Sequence, residues 1–88
     1  MIYNLSLNFT RVIPEYSESQ ERRASYDSFR DLFMSLERIL YSEQFALGHN
    51  YDAAVENILI NVLNHPYESS PALRLSRGGL RIKITAVE

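Results

Sequence analysis

Residues 2–13, IYNLSLNFTRVI, alternate between apolar and polar side chains. Tyr3, Leu5, Leu7 and Phe9 fall on one side, and Asn4, Ser6, Asn8 and Thr10 on the other. A period of two predicts a strand with one buried face. Pro14 has no N–H to donate, so the ladder is expected to stop there.

The next segment, PEYSESQERRAS at 14–25, is polar and has no apolar stripe. Ser17 and Gln20 have the spacing of a capping box. Glu18 precedes Arg22 by four residues, which suits a helix surface. Helix from about Ser19 is the expectation, with a loop as the alternative.

After Ser25 the period changes. Phe29, Leu32, Phe33, Leu36, Ile39 and Leu40 recur at helical spacing and form one broad apolar stripe. Gly48 suits the position just past a helix end. Asn50 or Asp52 is placed to cap a second helix. Its stripe is Val55, Ile58, Leu59, Val62 and Leu63, and Pro66 ends it.

The last alternating stretch is LRLSRGGLRIKI, Leu73 to Ile84, which reads as a hairpin. A two-residue Gly78-Gly79 turn sets Leu75 against Ile82 and Leu73 against Ile84. A four-residue loop from Ser76 to Gly79 sets Leu75 against Leu80 and Leu73 against Ile82. Both registers keep the apolar residues on one side. Both also set a cation opposite Arg74, either Lys83 or Arg81.

The expected fold is therefore α+β, in the order β-α-α-β-β. Three strands, mostly antiparallel, form one sheet, and two amphipathic helices pack on one of its faces as a two-layer sandwich. At 88 residues the chain reads as a single domain, 1–88.

Composition narrows the chemistry. With no cysteine, disulfides, thiolate metal sites and cysteine nucleophiles are excluded. That fits a reducing cytoplasm. No apolar run reaches the ~20 residues of a membrane span, and the N-terminus lacks the pattern of a signal peptide. The three glycines, Gly48, Gly78 and Gly79, write no phosphate-binding loop and no nucleophile elbow. His49 and His65 each precede an acid by three residues, which is weak metal-ligand spacing. Asp27 and Asp31 flank the first helical stripe and read as a solvated face. No catalytic residue, cofactor or metal is expected, and the chain reads as a non-enzyme.

The net charge of −2 hides an asymmetry. Residues 15–68 hold ten acids and four arginines, a balance of −6, whereas residues 69–88 balance to +3. The candidate partner-binding residues are Arg74, Arg77, Arg81 and Lys83 on the hairpin, and Asn57, Asn61 and Asn64 along the second helix. Arginine makes planar bidentate contacts, and a neutral amide face costs less to desolvate than a charged one. The expectation is a small cytoplasmic protein-binding module, a regulator or inhibitor in the manner of phage or mobile-element accessory proteins. Homodimerisation stays open. The alternative is a nucleic-acid binder using the cationic sheet face. That face carries no ring for base stacking. The strand–helix–helix–hairpin order also occurs in small ribonuclease toxins of the RelE/ParE type, which are basic where this chain is acidic.

Overall fold

The computed structural model describes residues 1–13, 15–41, 52–75 and 78–88. The expectations for Pro14, Gly48, His49, Asn50, Ser76 and Arg77 lie outside these residues. The element order is β1 (Ile2–Ile13), β2 (Tyr16–Tyr26), α1 (Phe29–Leu40), α2 (Asp52–Asn64), β3 (Glu68–Ser69), β4 (Ala72–Leu75) and β5 (Gly78–Val87). The chain is α+β, and its sheet has five strands rather than three. The order is β2-β1-β5-β3, with β4 also on β5, and every pairing is antiparallel.

The largest correction falls on the segment expected to be helix from about Ser19. Residues 16–26 form a strand: β2 pairs with β1 without interruption from Ile13↔Tyr16 to Tyr3↔Tyr26. Residues 19–25 are exposed on both faces, so burial imposes no alternation. Helical side-chain spacing is cheap on a polar segment, but it cannot satisfy the long open edge of β1. Glu15, at φ 69, turns the chain between the two strands.

Both hairpin registers expected at the C-terminal end are also corrected. Leu73 lies opposite Leu80, and Leu75 opposite Gly78. Arg74 consequently faces Gly79, and Arg81 faces Ala72, so no two cations meet across this pair. The glycines belong to the strand. Gly78 has φ +131, and a Cβ there would stand 1.8 Å from the Thr10 carbonyl oxygen. Its function is close approach to β1.

β3 and β4 share one register along β5. Tyr67 and Pro71 continue it by accepting from the Ala86 and Ile82 N–H groups, each at 2.9 Å. The formal break falls at Pro71, which has no N–H to give.

Helix α1 begins later than the sequence suggests. Ser28 caps it, its Oγ accepting from the Asp31 N–H at 3.2 Å. Leu32, Leu36 and Leu40 are fully buried, while Phe29, Phe33 and Ile39 are partly buried. In α2, Val55, Ile58, Leu59 and Val62 are buried, but Leu63 is 54% exposed and leaves the expected stripe. These residues share one core with Leu5, Leu7, Leu73, Leu80, Ile82 and Ile84 from the sheet. One sheet face is thus buried and the other is not. The Tyr26 hydroxyl donates to Ser35 Oγ at 2.7 Å, tying β2 to α1.

Candidate functional site

Register fixes what stands on the exposed sheet face. Reading across the strands, one row is Arg23, Ser6 and Lys83. The next is Glu21, Asn8, Arg81 and Ala72. A third is Ser19, Thr10, Gly79 and Arg74. On the other side of the Ser6 row lie Ser25, Asn4, Thr85 and Glu68. Arg23, Arg74, Arg81 and Lys83 are all exposed. Strand neighbours are about 4.8 Å apart, so these cations occupy one patch.

The patch is hollowed. An open depression of about 600 Å³ is lined by Asn4, Ser6, Arg23, Ser25, Lys83 and Thr85. A second of about 350 Å³ shares Ser6 and Lys83 with it and reaches Asn8, Ala72 and Arg81. A third of about 380 Å³ continues past Arg81 to Thr10, Arg74 and Gly79. They share residues and lie in line along β1 and β5 as one shallow trough, lined by hydroxyls, amides and cations together with apolar surface from Ala24, Ala72 and Leu80.

Within the trough, Arg23 Nε contacts Glu21 Oε1 at 2.8 Å, an exposed pair worth little. Ser25 Oγ donates to Asn4 Oδ1 at 2.7 Å. Among the described residues Arg74, Arg81 and Lys83 make no salt bridge. The only carboxylates in the four rows are Glu21 and Glu68. Asp31, Glu37 and Glu56 ride on the helices instead.

The two sets of candidate residues are not brought together. Asn57, Asn61 and Asn64 are exposed on α2, whose apolar residues join the buried sheet face, whereas the cations stand on the other face. Asn61 has a structural task. Its Oδ1 accepts from Ser69 Oγ at 2.9 Å, satisfying a serine that is only 5% exposed. Arg23 is not legible as a site residue in the sequence, because residues 19–25 are exposed throughout and show no strand period. The signal for β2 is a long, strictly alternating β1 whose edge needs a partner.

Among the described residues no three His, Cys, Asp or Glu side chains gather in a metal-binding group. No helix there is long and apolar enough to cross a membrane. The chain matches no protein-family model, no curated protein and no solved structure.

Proposed function

We propose that this chain is a non-enzymatic docking module whose exposed sheet face binds an acidic surface on a partner protein. In this reading the fold is a two-layer sandwich, with both helices over the buried sheet face and the trough as the working surface. Such a module acts by occupying a surface, as a regulator or inhibitor does, here in the cytoplasm. The observation that carries the reading is the set of three cations without salt bridges, Arg74, Arg81 and Lys83, joined by Arg23.

Unpaired arginines on a rigid sheet suit recognition of carboxylates, because the guanidinium fork is planar and always charged. Hydroxyl and amide neighbours add donors and acceptors that need no charge compensation. Protein is favoured over nucleic acid on two grounds. The outward strand positions carry no aromatic ring to stack a base. Glu21 and Glu68 lie at the margins of the patch, where a continuous polyanion would meet them. A protein surface of mixed charge can complement both signs.

Affinity capture from an extract of the encoding organism tests this, using the tagged wild-type chain and the double variant Arg81→Glu/Lys83→Glu. A protein retained by the wild type after nuclease treatment, and lost from the variant, supports the reading. Capture that disappears with nuclease transfers the face to nucleic acid. Equal capture by both chains removes the face from the interface.

A further inference from the structure

The second sheet edge points to a different contact. β2 ends the sheet on one side and has eleven residues, with no proline and no bulge. Natural edges of that length are normally shortened, kinked or covered, because their free N–H and C=O groups recruit another strand.

Which groups are free follows from the ladder. The Ile82 and Ala86 N–H groups point away from β1, toward Pro71 and Tyr67. Antiparallel strands alternate the direction of their polar groups residue by residue. The odd-numbered residues of β5 therefore bond to β1, the odd-numbered residues of β1 bond to β2, and those of β2 face the open edge. Among the described residues, the backbone groups of Ser17, Ser19, Glu21, Arg23 and Ser25 on that side have no strand partner.

We infer that this edge pairs with the β2 edge of a second copy of the chain, antiparallel, about a two-fold axis at Gln20. The inference is independent of the docking reading. Such an axis, normal to the sheet, keeps each residue opposite one on the same face, and only a few registers remain. Centring on Glu21 sets Glu21 against Glu21, and centring on Arg22 sets Arg22 against Arg22. Like charges directly opposite are destabilising. Centring on Gln20 sets Gln20 against Gln20, Ser19 against Glu21, and the Glu18 position against Arg22, twice. It has the longest overlap without a like-charge clash. The charges that protect this edge from arbitrary strands thus select a copy of itself. The two troughs then lie on the same side of one continuous sheet.

Sedimentation equilibrium over a wide range of chain concentration tests the pairing. The wild type is expected to dimerise reversibly. Ser19→Pro removes only an N–H that faces the open edge, so it should leave the circular dichroism and the unfolding midpoint unchanged and give a monomer. Arg22→Glu and Glu18→Arg should each give a monomer, and the double exchange Glu18→Arg/Arg22→Glu should restore the dimer. A wild type that stays monomeric throughout overturns the inference. So does a dimer indifferent to Ser19→Pro, or a double exchange that fails to restore what the single reversals removed.

Discussion

Arg23 and Lys83 stand opposite the same residue, Ser6, one on each side of β1. Two strand spacings of about 4.8 Å separate their backbones, so both cations rise from the same row of the exposed face. Arg23 is paired with Glu21 at 2.8 Å, whereas Lys83 makes no salt bridge among the described residues. A carboxylate on the proposed partner would complete the row.

The core makes an unequal demand on two residues of α1. Leu36 is 0% exposed, while Phe33 only borders the core. Leu36→Ala should cost about 2–5 kcal/mol in urea denaturation. Phe33→Ala should cost less, despite the larger side chain. The reverse order would mean that α1 is rotated from its described position.

Gly78 is tested by adding one methyl group. Gly78→Ala combines a rare positive φ, about 1–3 kcal/mol, with a clash against the Thr10 carbonyl, about 1–3 kcal/mol more. Loss of roughly 2–6 kcal/mol of stability is expected. A variant with an unchanged melting temperature would place Gly78 in an ordinary turn.

Asn61 and Ser69 should behave as a coupled pair. Asn61→Ala leaves the Ser69 hydroxyl buried without its acceptor, at a cost of about 1–3 kcal/mol. Adding Ser69→Ala should recover part of that loss, since no stranded group remains. Additive effects in the double-mutant cycle would show that the bond contributes nothing.

These residues also show how far the sequence could be read. β1, both helical stripes and the parity of the final hairpin follow from periodicity, because one side of each element is buried. β2 does not, since from Ser19 to Ser25 neither face is buried and no period is written. The hairpin register was ambiguous for a related reason. A slip of two residues keeps Leu73 and Leu75 on the same face, so periodicity does not choose the pairing; the observed register is the one that the Ile82 N–H to Pro71 carbonyl bond continues. The cations Arg74, Arg81 and Lys83 were legible from their alternation with leucine and isoleucine. Arg23 became part of the patch only through the β1–β2 register. The exposure of Leu63 depends on how α2 is rotated in the fold, which its stripe leaves loose by one position.

Because the chain has no cysteine, a single introduced thiol can report whether the sheet face or α2 is covered by the partner. One thiol can be placed in the trough by Ser6→Cys, and another on the helix side by Asn64→Cys. Alkylation rates are then measured with and without the partner retained after nuclease treatment. The partner is expected to slow alkylation in Ser6→Cys and to leave Asn64→Cys unchanged, and the slowing should weaken as salt rises, because exposed charge pairs are screened. Protection of Asn64→Cys with no change at Ser6→Cys would contradict the proposal, and would move the docking surface from the sheet to α2.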